Sequence, residues 1–115
     1  MASDNLGVAM MATAELLDYQ SLAPGSRIDV ETRSRHYYIE CLGGSSVRIS
    51  GHPEYCPEPV AARLEGSIDQ EGSLEAGYIG RGMRLMFLVN DQRSVTTSRI
   101  LKVRVSQPDP SASVH

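Results

Sequence analysis

Aromatic residues are scarce in this chain, which has no Trp, one Phe and five Tyr among its 115 residues. Hydrophobic residues still make up 41% of the sequence, a fraction typical of globular domains. The core must therefore be built mainly from Val, Ile, Leu and Met. A chain of this length is expected to form one domain around one modest core.

Long hydrophobic runs are also absent, and no stretch approaches the roughly 18 apolar residues of a membrane span. Residues 1–17 carry Asp4 and Glu15 and lack a basic segment, so they do not resemble a signal peptide. We therefore expect a cytoplasmic protein with no membrane association. In such a reducing compartment Cys41 and Cys56 would be free thiols rather than a disulfide.

Lysine is nearly missing, since ten of the eleven basic residues are Arg and only Lys102 is Lys. The net charge of −3 and the pI of about 5.5 argue against general nucleic-acid binding, which usually needs a basic surface. Arginine suits bidentate contacts to carboxylate or phosphate. The bias has two interpretations: a bacterial genome rich in G and C, which we favour, or arginines that bind an anion.

The first predicted element is an amphipathic helix over residues 6–19. Apolar residues recur at helical spacing along one stripe, formed by Leu6, Met10, Ala14 and Leu17. Val8 and Met11 fall outside this stripe and are candidates for contact with a second surface. The turn residues Ala23-Pro24-Gly25 end the segment.

After this turn, apolar and polar residues alternate with a period of two, which predicts half-buried strands. The predicted strands are residues 27–33, 36–41, 47–49, 60–68, 83–89 and 95–105. The strand over 83–89 is almost continuously apolar, which predicts a central position covered on both faces. The fold class is therefore mostly β, a small antiparallel barrel or a strongly curved sheet of about six strands. One domain spans residues 1–106, and a disordered tail follows over 107–115.

A loop over residues 50–59 interrupts the strands, and its three prolines exclude a helix there. His52 and Cys56 are residue types that ligate zinc, but alone they supply only two ligands. His36 and Cys41 could complete the set if the second strand lies beside the loop. A reactive Cys56 thiol activated by His52 is a further possibility. We favour a rigid surface loop in which Cys56 packs as a small hydrophobe.

Four arginines near predicted turns are candidate ligands for an anion: Arg33, Arg35, Arg81 and Arg84. A small barrel with such arginines resembles, in overall plan, the PilZ domains that bind cyclic dinucleotides in bacteria. The first PilZ motif has two arginines separated by three residues, and the second is Asp/Asn-x-Ser-x-x-Gly. Residues 33–35 have a different arginine spacing, and residues 91–94 lack the motif's Ser and Gly. The resemblance therefore implies the overall plan alone and transfers no site.

No arrangement for catalysis or cofactor binding is recognisable. The Gly-rich stretch over 77–82 lacks the Lys-Ser/Thr pair of a P-loop, and a strand follows it where a dinucleotide-binding motif has a helix. Glu54 and Glu58 cannot align on a helix because of the neighbouring prolines. We predict no catalytic residue and no cofactor, and we favour a non-catalytic protein while leaving an enzyme as an open alternative.

Three hypotheses remain for function. The first is a non-catalytic interaction domain that self-associates or binds a protein, using Val8, Met11 and an exposed edge strand. The second is a barrel that binds a nucleotide-like anion through the four arginines. The third is a metal-dependent enzyme or a metal-stabilised module built on His52 and Cys56. We expect any site to lie beside the loop from His52 to Glu58, because loops on a rigid sheet often carry function.

Overall fold

The fold is built almost entirely from β-strands. The computed structural model describes residues 11–108. Its ten strands are β1 (Met11–Ala14), β2 (Leu16–Asp18), β3 (Arg27–Thr32), β4 (His36–Gly43), β5 (Ser46–Ser50), β6 (Val60–Ile68), β7 (Leu74–Ala76), β8 (Tyr78–Gly80), β9 (Arg84–Val89) and β10 (Arg93–Ser106). One turn of 3₁₀-helix, Tyr19–Ser21, follows β2.

Six of the strands pair in a ring, in the order β3, β4, β5, β6, β9, β10 and back to β3, and every pair is antiparallel. The strand β10 closes the ring because its first half pairs with β9 and its second half with β3. Two register shifts, between Thr96 and Arg99 and between Ile100 and Lys102, mark irregularities of the kind that bend a strand. The prediction of one mostly-β domain with about six strands is confirmed, in the form of a partly closed sheet.

The predicted N-terminal helix is wrong for residues 11–18, which form β1 and β2; residues 6–10 lie outside the described residues. The second half of β10 has β3 along one edge, and β1 pairs along the other, from Met11 opposite Ser106 to Ala14 opposite Val103. This pairing satisfies backbone N–H and C=O groups of β10 that would otherwise lack partners. The tertiary pairing therefore overrides the local helical spacing.

The core lies inside the ring and is formed by the alternate residues of each strand. Tyr37 and Phe87 meet edge to face at its centre, with ring centroids 5.7 Å apart. In β9 only one face is fully buried, by Leu85, Phe87 and Val89, while the residues between them are half-buried. The expectation that this strand is covered on both faces therefore holds only in part.

Leu101 departs from the predicted alternation and is 47% exposed. The sequence pattern placed Leu101 on the same face as Val103 and Val105, which are both buried. The register shift between Ile100 and Lys102 inserts an extra residue into β10 and reverses the side on which Leu101 lies.

No helix within residues 11–108 is long and apolar enough to cross a membrane. Gln107 and Pro108 follow β10 without regular structure, and the rest of the predicted disordered tail, residues 109–115, lies outside the described residues.

Candidate functional site

The loop between β5 and β6 begins at a glycine that the fold requires. Gly51 has a φ of 128°, and a Cβ atom at this position would collide with the carbonyl oxygen of His36. The Gly51 N–H donates to the Cys56 carbonyl at 2.9 Å, and the Cys56 N–H donates to the His52 carbonyl at 3.0 Å. These bonds close a narrow turn that carries the Cys56 side chain into the core.

His52 fixes the interior of this turn with its imidazole ring. Its Nδ1 atom accepts hydrogen bonds from the backbone N–H groups of Glu54, at 3.1 Å, and Tyr55, at 3.2 Å. The ring also stacks on Tyr55, with centroids 4.5 Å apart, and the Arg93 guanidinium carbon lies 4.9 Å from the Tyr55 centroid. An Nδ1 atom that accepts cannot carry a proton, so the loop needs the neutral imidazole.

The surroundings of His52 favour that neutral form. Burial lowers the pKa of His52, and the positive charge of Arg35 lowers it further, while Glu54 opposes both effects. The Nδ1 atom of His52 is therefore occupied by the two backbone hydrogen bonds of the loop and is not available as a base.

Both cysteines are buried thiols. Burial raises the pKa of Cys41 to about 11, with a further contribution from the charge of Glu40. Burial also raises the pKa of Cys56, although the backbone hydrogen bond from His52 opposes it. Because the thiolate is the reactive form, these positions do not provide an activated nucleophile at neutral pH.

The four candidate metal ligands do not form one cluster. His36 and Cys41 lie on opposite faces of β4, because side chains an odd number of residues apart on a strand point to opposite sides. His36 stacks on Tyr38 at 4.5 Å, and its Nε2 atom lies 3.8 Å from Asp29 Oδ2. In the part of the chain that the structure describes, no group of three or more His, Cys, Asp or Glu residues could hold a metal ion.

The four candidate arginines are divided among three places. Arg81 pairs with Glu15, its Nη1 atom 3.4 Å from Glu15 Oε2. Arg35 lies near the His52 loop, where its charge acts on the pKa of both His52 and Tyr37. Arg33 and Arg84 are each neighbours of a further arginine, Arg99 of β10.

Arg33 and Arg84 lie on either side of a third arginine, Arg99. Arg84 of β9 and Arg99 of β10 are direct cross-strand partners, and the Arg33 N–H donates to the Arg99 carbonyl at 3.0 Å. Leu85 and Ile100, which follow Arg84 and Arg99 on their strands, are buried, and Arg33 is exposed, so the three side chains lie toward the outer surface. We call Arg33, Arg99 and Arg84 the arginine row. Since neighbouring strands are about 4.8 Å apart, the row spans about 10 Å at the level of the backbone.

The register shift in β10 positions the row. The Thr97 hydroxyl accepts from the Leu85 N–H at 3.0 Å and donates to the Ser98 carbonyl at 2.7 Å, so it bridges the gap that the irregularity leaves between β9 and β10. Arg99 Nη1 donates to the Gly82 carbonyl at 3.0 Å, which holds this guanidinium in place. On the other side, the Ser34 N–H donates to the Ser98 hydroxyl at 3.1 Å.

The row is not neutralised by acidic residues of the described chain. Within residues 11–108, no carboxylate lies within salt-bridge distance of Arg33, Arg84 or Arg99. Arg33 and Arg84 are exposed and Arg99 is half-buried. The sequence predicted two members of the row but missed Arg99, because that residue falls inside a strand whose alternation is broken by the irregularity.

Comparison of the chain with protein-family models, with curated proteins and with solved structures finds no match. These comparisons give no support to the resemblance to PilZ domains.

Proposed function

We propose that this domain is a non-catalytic binding module and that the arginine row holds an anionic small molecule. The observation that carries the proposal is the placement of three arginines on neighbouring backbone segments with no acidic partner among residues 11–108. Like charges opposite one another destabilise a sheet, and a bound anion would offset that repulsion.

The chemistry of the row indicates the kind of anion. Each guanidinium is planar and can donate two parallel hydrogen bonds to a phosphate or carboxylate. The Arg99 side chain is already oriented by Gly82, so binding has fewer rotamers to fix there. A span of about 10 Å suits a ligand with two or more charged groups, such as the phosphate chain of a nucleotide.

A thermal-shift titration in low salt tests this proposal with ADP and sodium tripolyphosphate as probes. A ligand that binds only the folded state raises the Tm, and added salt should reduce the rise because it screens exposed charges. The double variant Arg84→Gln, Arg99→Gln should lose the rise. Arg63→Gln is the matched control, since Arg63 is exposed, pairs with Asp91 at 3.6 Å and lies outside the row. If neither phosphate compound shifts the wild-type Tm, the proposal is wrong.

A second candidate function is self-association through the strands that extend beyond the ring. In the described part of the chain, β7 pairs only with β6, and all three of its residues are exposed. Leu74 in β7 is 48% exposed, and Leu16 in β2 is 59% exposed. An exposed edge with apolar residues is a surface on which a second copy could pair. Light scattering across a concentration series tests it: Leu74→Glu should lower the mass of any oligomer, and a wild-type monomer at high concentration would exclude self-association.

A further inference from the structure

A second surface, unrelated to the arginine row, lies on the outer face of β3, β4 and β5. Tyr38 is at its centre and is 53% exposed. Its direct cross-strand partners are Asp29 on β3 and Ser50 on β5. Together with the next row of residues along these strands they line a groove of about 440 Å³, which falls within the range of small-molecule sites.

The Tyr38 ring is held in position before any ligand arrives. His36 stacks on it nearly parallel, with centroids 4.5 Å apart and an angle of 12° between the planes. One face of the ring is therefore covered, and Tyr38 lines the groove with its remaining surface. A fixed aromatic platform loses little conformational entropy when a ligand stacks on it.

The charges around this platform balance. The groove lining has two positive groups, Arg27 and Arg48, and two negative groups, Asp29 and Glu40. Arg48 Nη1 lies 3.8 Å from Glu40 Oε1, and Asp29 Oδ2 lies 3.8 Å from His36 Nε2. Arg48, Glu40 and Asp29 therefore each have a partner nearby, which is an oppositely charged group or an imidazole. The groove lining therefore carries no net formal charge, in contrast to the arginine row.

What the groove offers is a mixture of hydrogen-bond donors and acceptors around an aromatic face. The guanidinium groups donate, the carboxylates accept, and the hydroxyls of Ser50 and Ser106 do both. The face of an aromatic ring carries negative charge density, which attracts the weakly positive C–H groups of a saturated ring. A sugar ring presents such a C–H face and carries neighbouring hydroxyls that donate and accept.

A peptide strand fits this surface less well. The groove lies over β3, β4 and β5, which are paired with one another on both sides of β4. Their backbone groups are therefore engaged in the sheet, and no free edge is available for an added strand. We propose that the Tyr38 groove binds a neutral oligosaccharide.

Titrations followed by ¹H–¹⁵N NMR test this proposal with three neutral probes, cellohexaose, maltohexaose and mannohexaose, and with dextran sulfate and a proline-rich decapeptide as comparisons. At least one neutral oligosaccharide should give saturable shifts at the Asp29, Tyr38 and Ser50 amides. Tyr38→Ala should weaken that binding by about tenfold or more, which corresponds to the loss of one stacking contact. Tyr38→Phe should bind within about twofold of the wild type, because it keeps the ring.

Two controls separate this site from others. Tyr78→Ala removes another exposed tyrosine, on β8, and should leave oligosaccharide binding unchanged. The double variant Arg84→Gln, Arg99→Gln should also bind the oligosaccharide normally, so failure of one proposal does not decide the other. The proposal is overturned if no neutral oligosaccharide shifts these amides, if Tyr38→Ala binds as tightly as the wild type, or if only dextran sulfate or the decapeptide perturbs the groove.

Discussion

Replacing His52 with alanine measures how strongly one imidazole holds the loop from Gly51 to Pro59. The substitution removes the acceptor of two backbone hydrogen bonds, at 3.1 and 3.2 Å, and the stacking contact with Tyr55. A hydrogen bond contributes about 0.5–1.5 kcal/mol and an aromatic pair contributes a similar amount. The Glu54 N–H is exposed and can bond to water instead, so we expect a total loss of about 2 kcal/mol in the free energy of unfolding.

His52→Asn is the matched variant, because an Asn side chain can accept from backbone N–H groups two residues further along the chain. It should recover the hydrogen bonds but not the stacking, and should cost about 1 kcal/mol. Urea denaturation at pH 7.5, followed by circular dichroism, measures both variants. If His52→Ala costs less than about 0.5 kcal/mol, or if Asn is as damaging as Ala, the imidazole does not hold the loop as argued.

The wild type and His52→Asn also give a test of how the stability depends on pH. The pKa of His52 in the folded protein lies below its usual value of 6.5, because burial and Arg35 disfavour the charged ring. Its contribution to stability is therefore complete above pH 6.5 and is lost as the pH falls through the lowered folded pKa. The advantage of the wild type over His52→Asn should shrink between pH 7.5 and pH 5. An advantage that is constant or larger at pH 5 would contradict the neutral acceptor.

Three other substitutions or reactions test separate parts of the fold. Arg84→Gln should raise the stability by up to about 0.5 kcal/mol in low salt, because it relieves like-charge repulsion, and salt should remove the gain; a clear loss would show that the guanidinium has a structural partner. Phe87→Ala should lower the free energy of unfolding, measured by urea denaturation, by about 3–5 kcal/mol. A loss below about 1 kcal/mol would mean that the core inside the ring of strands is not packed as described. Cys41 and Cys56 should react with a thiol reagent only after unfolding, since both are buried and their thiol pKa values are raised; rapid reaction of the native protein would show that the core opens.

The strands inside the ring could be predicted because their pattern is local. Ile28 and Val30 in β3, like Tyr37 and Ile39 in β4, alternate with polar residues, and each is buried on the inner face. One buried face fixes both the period and the register of such a strand. The sequence therefore contained enough information to place them.

The N-terminal segment could not be predicted in this way. Ala14 and Leu17 are both partly buried against the core, and their spacing fits one turn of helix as well as it fits two strands. The choice depends on the open edge of β10, which is distant in sequence. When the conformation of a segment depends on the strand with which it pairs, the pattern of its own residues is not enough to predict that conformation.

The candidate site was limited by the same kind of information. Proximity to turns suggested Arg33 and Arg84, and it equally suggested Arg35 and Arg81, which the fold directs elsewhere. Arg99 joins Arg33 and Arg84 only because of the irregularity in β10. The sequence also gave no sign of the groove at Tyr38, since it depends on the register of three strands.

The multiple pairings of β10 have a consequence for how the domain folds. This strand pairs with β1, β3 and β9, so residues far apart in the sequence, such as Ile28 and Val105, must meet before the ring can close. Loop closure over such separations is slow, and folding times on the order of milliseconds to seconds are typical of such topologies. Until β10 is in place, the edges of β3 and β9 that it covers are open to pairing with other chains. Conditions that delay closure of the strand ring are therefore expected to increase aggregation.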